Sequence, residues 1–441
     1  MSAGSRPYHA LRHRDFRRLW AAQLVSITGS QMQMVALHWH VYVLTKSPLA
    51  LGMVGLTRVL PIIVFSLWGG IVADRADRKK VMFAAQSCMA VLSAALAALT
   101  FAGRETVFAL YALNALLAAA SAFDNPARQA LIPRLVPRED LPGALSLNLT
   151  MFHAAFIIGP ALAGLLIAGH GAALVPSPTR LAGAGAGSET STLAFIYALN
   201  ALSFLAVLLA LLTMRTSGVV VGEGGGAHEP PLAALRAGLR FVLTTPIMVW
   251  TMGLDFLATF FSGSMSLLPI FADQVLHVGA AGYGWLVAAP AVGALLGSIY
   301  TSVWPLPRRQ GVVLLWSVAA YGVATIVYGF SRSYVLTLIA LAGTGLADLV
   351  STVVRQTLRQ LLTPDHLRGR MTSVNMIFFM GGPQLGEMEA GLLASLFTSV
   401  VTGVTVSVVS GGVATILIAA AVAAAAPIVR RYEPPSTAIP V

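Results

Sequence analysis

Some ionisable side chains of this sequence lie inside long apolar segments, where a charge is costly and usually has a function. They are Arg58, Asp255, Asp348, Glu387 and Glu389. Desolvation favours the neutral form of a carboxyl group, so an acid in such a segment is suited to take up a proton and release it again. Asp255 is the leading candidate for this chemistry. The alternative for Asp255 is a structural hydrogen bond to a serine or to a neighbouring helix.

The elements that must position these side chains are long apolar segments. Of the 441 residues, 57% are hydrophobic and 10% are charged, whereas charged residues make up about 25% of ordinary soluble domains. A spanning helix needs about 20 mainly apolar residues. Such segments are predicted at 19–44, 49–73, 80–102, 106–123, 143–168, 192–213, 247–272, 283–304, 311–330, 334–353, 372–396 and 403–427. The sequence therefore predicts an all-α membrane protein with about 12 transmembrane helices.

The basic residues recur in short clusters between the apolar segments, and the clusters include Arg128 and Arg355. The net charge is +11, but no single domain is basic, which argues against nucleic acid as a partner. Most clusters follow every second segment, as the positive-inside rule predicts when both termini are cytoplasmic. We therefore expect a multi-pass protein of a bacterial inner membrane, with its basic loops on anionic lipid.

The longest polar stretch between predicted helices on the basic side, at 215–246, divides the chain. It begins with a Gly-rich and Pro-Pro segment that is typical of a flexible linker. It ends with the pattern of an amphipathic helix at the membrane interface. Residues 1–214 precede this linker and residues 247–441 follow it, and six helices are predicted in each part.

The two halves repeat each other at a constant offset of 227 residues, as from Arg128 to Arg355. The matched pairs include Arg128-Gln129 with Arg355-Gln356, Ser146 and Asn148 with Ser373 and Asn375, and Gly159 and Gly164 with Gly386 and Gly391. A constant offset across separate segments is the signature of an internal repeat. The sequence therefore predicts two pseudo-symmetric halves of six helices each.

A charged loop motif, GIVADRADRK, lies between the second and third predicted helices. It resembles the motif of major facilitator transporters, with Asp77 where that family usually has glycine. The matching residues are Gly70, Asp74, Arg75, Arg78 and Lys79. The resemblance implies the major facilitator fold, in which two six-helix halves are parallel repeats.

The same resemblance implies a conformational latch. Asp74 is expected near the start of the eleventh helix, at Thr372, where a helix N-terminus favours an anion. Arg78 is expected to reach Asp124 at the end of the fourth helix. These contacts would hold the inner side closed in the outward-open state.

Two further segments resemble exporters of this superfamily. Gly159, Pro160 and Gly164 resemble part of the antiporter motif of drug exporters, with Ala155 where that motif has glycine. The segment RQTLRQLLTPDHLRGR, which begins at Arg355, resembles the branch that contains enterobactin exporters and multidrug efflux proteins. The resemblance implies a proton-coupled antiporter of small molecules such as siderophores or drugs.

In the major facilitator fold the second and eleventh helices are neighbours. We therefore predict that Arg58 pairs with Glu387 or Glu389 when the outer side is closed, and that the pair breaks when that side opens. Two residues correspond to about 200° around a helix, so at most one glutamate faces the cavity. The alternative is that Glu387 only hydrogen-bonds to backbone beside neighbouring glycines.

The first predicted helix contains more polar side chains than a lipid-facing helix would. Gln31 is the residue that we expect to face a water-filled cavity. His38 and His40 are of a type that titrates near physiological pH. Their position near the outer interface favours solvation instead.

No catalytic constellation is recognisable, so an enzyme is not predicted. The sequence lacks a P-loop, zinc-ligand spacing and a plausible Ser-His-Asp order, and its single cysteine, Cys88, excludes an intramolecular disulfide. We expect the proton gradient to drive transport without a cofactor. The expected partners are a small-molecule substrate, protons and lipid, and the expected state is a monomer. An uptake symporter and a non-transporting sensor or assembly factor are the alternatives.

Overall fold

The computed structural model describes residues 7–170, 187–216, 218, 231–304, 306–364 and 368–434. Its helices are α1 (Arg14–Thr45), α2 (Pro48–Arg75), α3 (Arg78–Phe101), α4 (Val107–Leu131), α5 (Leu141–Leu165), α6 (Gly187–Thr213), α7 (Pro231–Thr244), α8 (Pro246–Phe261), α9 (Gly279–Val303), α10 (Gln310–Phe330), α11 (Tyr334–Leu362), α12 (Arg368–Ser395) and α13 (Val400–Ala425), besides shorter turns. The described residues contain no β-strand. The predicted all-α class is confirmed.

Ten helical segments of the described residues are long and apolar enough to cross a membrane. The helices α1 and α12, with 32 and 28 residues, are also long enough but are more polar. The 14-residue α7 lies where the amphipathic helix was predicted. Every predicted transmembrane segment overlaps a helix, so the predicted number is consistent with the structure. The chain is a multi-pass membrane protein.

The seventh predicted segment, 247–272, is not one continuous helix. The helix α8 ends at Phe261, and the chain continues through short helical turns to Val275. At the break, the Ser262 hydroxyl hydrogen-bonds to the Thr415 hydroxyl at 2.7 Å and donates to the Gly411 carbonyl at 3.3 Å. These hydrogen bonds hold the residue after the break against α13.

The chain divides into two compact units. The first comprises Met1–Thr45, Leu60–Gly226 and Gly279–Ala288, and the second comprises Lys46–Val59, Ala227–Val278 and Ala289–Val441. Core residues of the first unit include Phe16, Leu19, Met82, Leu131, Val207 and Leu211. Core residues of the second unit include Met248, Leu254, Leu314, Val354, Leu358 and Val429. The start of α2 therefore packs with the second unit, and the start of α9 packs with the first.

Candidate functional site

A buried ion pair joins α8 and α11 within the second unit. Asp255 Oδ1 and Arg355 Nη1 are in direct contact, and the two side chains are only 16% and 11% exposed. Arg355 Nη2 lies 3.7 Å from Oδ1 of Asp348 and donates to the Thr352 hydroxyl at 2.8 Å. The guanidinium group of Arg355 therefore forms ion pairs with two carboxylates.

The spacing along α11 explains this arrangement. Asp348, Thr352 and Arg355 are separated by four and then three residues, which places them on one helix face. The helix continues to Leu362, well beyond the predicted end at residue 353. Arg355 thus lies inside a helix, whereas the sequence assigned it to a basic loop. Its charge is tolerated there because two acidic side chains compensate it.

Asp255 borders two hollows of the second unit. The larger hollow contains Arg355 and Arg359, and its other lining residues are Met248, Thr251, Met252, Thr352, Gln356, Asn375, Phe378 and Phe379. The smaller hollow contains Asp348 and Tyr321, with Ala258, Thr259, Ser317, Val318, Ala347 and Ser351. Asp255 is thus a lining residue that the two hollows share.

Arg58 of α2 lies close enough to Glu387 of α12 for their charges to attract each other within the second unit. Gly55 of α2 leaves room for the Glu387 side chain beside Arg58. A Cβ atom at position 55 would lie only 2.6 Å from Oε2 of Glu387. Glu389 is half-buried, and its position two residues further on directs it away from that face. Of the two glutamates that the sequence left open, Glu387 is the one beside Arg58.

The charged loop motif connects the start of α3 to the ends of two other helices. Arg78 donates to the Ala130 carbonyl at 3.0 Å, and Lys79 Nζ donates to the Met214 carbonyl at 2.8 Å. Asp77 accepts a hydrogen bond from the backbone of Lys79 and is the N-cap of α3, which gives a reason for aspartate where the family usually has glycine. Outside the described residues lie Gly70 and the side chains of Asp74, Arg75 and Thr372.

Asp124 has a different partner from the one that the sequence predicted. Its Oδ1 accepts a hydrogen bond from Gln86 at 2.9 Å, and its Oδ2 lies 3.6 Å from Nε of Arg128. Arg128 follows Asp124 by one turn of α4, so the two side chains share a helix face. In this structure Arg128 is a cation beside Asp124, and Arg78 donates a hydrogen bond to the Ala130 carbonyl.

The glycines of the antiporter-like motif lie at close helix contacts within the first unit. A Cβ atom at Gly159 would lie 2.6 Å from Cβ of Gln31 in α1, and one at Gly164 would lie 2.7 Å from Cα of Gly284 in α9. The carbonyl of Pro160 would lie 2.5 Å from a Cβ atom at Gly284. The motif thus lets α5 pack tightly on α1 and α9. Gln31 lies at the contact of α1 with α5.

The two histidines of α1 are buried, which corrects the expectation that they are solvated. His38 is 7% exposed and His40 is 2% exposed. His40 Nδ1 lies 3.1 Å from the Tyr197 hydroxyl, and the two rings stack at 6.0 Å between centroids. Packing between α1 and α6 shields the ring of His40, so proximity to a helix end was a poor guide to its exposure.

A comparison with protein families identifies the chain. The model of the transmembrane secretion effectors matches residues 5–182 and 184–437. The chain belongs to that family. This secretion effector is accordingly a transmembrane transporter of the major facilitator type, as the resemblance of its loop motif implied. Transporters are not a class of enzyme.

Named relatives and solved structures agree with this assignment. The chain is 26% identical over 388 residues to the enterobactin exporter EntS of Shigella boydii. The matched region covers 88% of this chain and 87% of the relative. EntS of Escherichia coli O157:H7 matches equally well. A bacterial homologue of the lysosomal transporter Spinster, in an inward-facing and unoccupied conformation, has a TM-score of 0.73 at 16% identity over 98% of this chain and all of that one. The nucleoside transporter NupG has a TM-score of 0.69 at 13% identity over 95% and 100%. The two structures establish the fold alone.

Proposed function

We propose that this secretion effector is a proton-coupled exporter, an antiporter of small molecules such as siderophores or drugs. It works as a monomer in a bacterial inner membrane, with both termini in the cytoplasm and the proton gradient as its energy source. The ion pair of Asp255 with Arg355, which also lies beside Asp348, supports this proposal most strongly, because ionisable groups in spanning helices usually mark ion and substrate paths. The names of the enterobactin exporters support a siderophore-like cargo.

Protonation of Asp255 changes the charge balance of the cluster that Asp255, Asp348, Arg355 and Arg359 form. When both carboxylates are ionised, Asp255 and Asp348 balance Arg355 and Arg359. A proton on Asp255 removes one negative charge, so its contact with Arg355 weakens while Arg355 stays beside Asp348. If the cargo binds only when Asp255 is ionised, a proton on Asp255 prevents cargo binding. The cargo and the proton therefore exclude each other. Such mutual exclusion produces exchange of one for the other.

The test uses everted membrane vesicles with an acidified interior and a fluorescent reporter of the proton gradient. Catecholate siderophores, macrolides and dyes are added one at a time. At least one compound is expected to cause proton release from vesicles that contain the protein, and no release from vesicles that lack it. An uncoupler should abolish accumulation of that compound. Accumulation that is insensitive to the uncoupler would refute proton coupling, and proton-driven movement in the opposite direction would identify an uptake symporter.

A further inference from the structure

The second carboxyl group of the buried cluster, that of Asp348, has a weaker contact with Arg355 than Asp255 has. Asp255 Oδ1 is in direct contact with Arg355 Nη1. Asp348 Oδ1 lies 3.7 Å from Nη2 of Arg355, which is too long for a hydrogen bond, and Nη2 donates to the Thr352 hydroxyl. Arg355 therefore compensates the charge of Asp255 closely and that of Asp348 only loosely.

One guanidinium group cannot fully compensate two carboxylates. Asp348 lies near the middle of α11, which is long and apolar enough to span a membrane, and an ionised side chain is costly there. Arg359 is a further cation of this helix, but it lies about 16 Å from Asp348 along the helix axis, which is too far for an ion pair. A carboxyl group with loose compensation is stabilised by a proton in such surroundings. The cluster therefore favours one ionised and one protonated carboxyl group beside Arg355.

Asp348 and Asp255 line the same small hollow, which separates α8 from α11. The Tyr321 hydroxyl of α10 also lines this hollow and lies close enough to Asp348 to feel the charge of its carboxylate. Two other lining hydroxyls, of Thr259 and Ser317, donate to backbone carbonyls of their own helices. Among the described lining residues, the two aspartates are the charged ones and Tyr321 is the other titratable one. A proton can therefore pass between the aspartates without crossing another charged group.

We infer that Asp348 is a second proton carrier, which shares one proton with Asp255. The inference rests on the proposed function and adds a residue to its proton path. In the arrangement seen here, Asp255 is the ionised partner of Arg355 and Asp348 holds the proton. When Arg355 pairs with Asp348 instead, the proton leaves the Asp348 carboxyl group and binds a carboxylate oxygen of Asp255. Asp348 becomes the carboxylate, and the charge of the guanidinium group does not change.

The exchange of partners needs only a small movement. Nη1 of Arg355 already faces Asp255, and Nη2 already lies on the side of Asp348. Asp348 and Arg355 share one face of α11, so a change of side-chain rotamers brings them together while the helix stays intact. Arg355 also lines the larger hollow. A molecule that binds there and prefers one of the two pairings therefore shifts the proton between the two aspartates.

The test detects the shared proton by infrared difference spectroscopy, which records the carbonyl stretch of protonated carboxyl groups, on the purified full-length protein at neutral pH. The wild-type protein should show a signal that Asp348→Asn removes. Asp255→Asn should remove the same signal, because Arg355 then pairs with Asp348 and keeps it ionised. Asp273→Asn is the matched control. The Asp273 side chain is 42% exposed and lies 3.8 Å from Nζ of Lys46, so this variant should leave the signal unchanged.

A transport measurement complements the spectrum. Asp348→Asn should slow cargo-dependent proton release from vesicles about a hundredfold, because a positioned proton carrier is lost. Asp348→Glu keeps a carboxyl group and should retain part of the release. Asp273→Asn should release protons at the wild-type rate.

An infrared signal that Asp348→Asn leaves unchanged would overturn the inference. Survival of the signal in Asp255→Asn would also overturn it, and this second variant keeps the test valid if Asp348→Asn does not fold. The expected infrared signals without any proton-coupled transport would refute only the proposed function. Proton-coupled transport at the wild-type rate in Asp348→Asn would refute only this inference.

Discussion

Replacing Arg355 with Gln is expected to lower the free energy of unfolding by about 3–5 kcal/mol, because the substitution leaves Asp255 buried without a countercharge. Asp255 is 16% exposed, so water does little to replace the lost guanidinium. Arg355 also serves Asp348, which increases the loss. The measurement is unfolding of the purified protein by a denaturing detergent, followed by circular dichroism.

Two further variants isolate the ion pair. Arg355→Gln combined with Asp255→Asn should recover most of the lost stability, since a neutral pair needs no countercharge. Arg332→Gln is the matched control, because Arg332 is exposed and hydrogen-bonds to Ser331 and Thr405. It should change stability by less than about 0.5 kcal/mol. Equal effects of Arg355→Gln and Arg332→Gln would show that the ion pair contributes nothing specific.

Exchanging the charges of Arg58 and Glu387 is expected to restore transport that either single reversal abolishes. Arg58→Glu or Glu387→Arg places two like charges together where opposite charges now attract each other. Each single variant should lower the cargo-dependent rate at least tenfold, which corresponds to about 1.4 kcal/mol. The double variant should regain a large part of the wild-type rate. Cargo-dependent proton release in vesicles measures all three.

The choice of Glu387 over Glu389 makes this prediction specific. Arg58→Glu combined with Glu389→Arg should show no rescue, because Glu389 lies on another helix face. The space beside Gly55 is tight, so Arg58→Gln with Glu387→Gln tests the same pairing without a longer side chain at position 387. Rescue by the Glu389 combination and by neither Glu387 combination would reject the assignment.

The composition of the sequence was sufficient to predict the class of fold, because long apolar segments have few other uses than crossing a membrane. The repeat and the loop motif identified the superfamily. Asp255 was recognisable as a candidate site residue for a related reason. A lone carboxyl group in an apolar segment is costly and usually has a function.

The partner of Asp255 could not be predicted in this way. A transmembrane segment that is predicted from apolar residues alone ends where the first charged residues appear. The tenth predicted segment therefore ended at residue 353, and the fourth ended at residue 123. The structure continues the corresponding helices to Leu362 and Leu131, and these extensions contain Arg355 and Arg128. Asp255, which is distant in sequence, compensates the charge of Arg355, and only the three-dimensional structure reveals that contact. The internal repeat was the one signal that singled out both arginines.

The burial of His40 and the break after Phe261 were missed for a similar reason. His40 is shielded by Tyr197 of α6, and the break is stabilised by Thr415 of α13. Both depend on contacts between helices far apart in the chain. Local composition contains no information about such contacts.

The central claim is that Asp255 exchanges the proton that drives export. The most direct measurement is cargo-dependent proton release from everted vesicles with an acid interior, compared between the wild-type protein, Asp255→Asn and Asp255→Glu at equal protein levels. The account predicts that Asp255→Asn loses the release and that Asp255→Glu, which keeps a carboxyl group, retains part of it. Release at the wild-type rate in Asp255→Asn would contradict the account and move the proton-carrying role to Glu387 or Glu389.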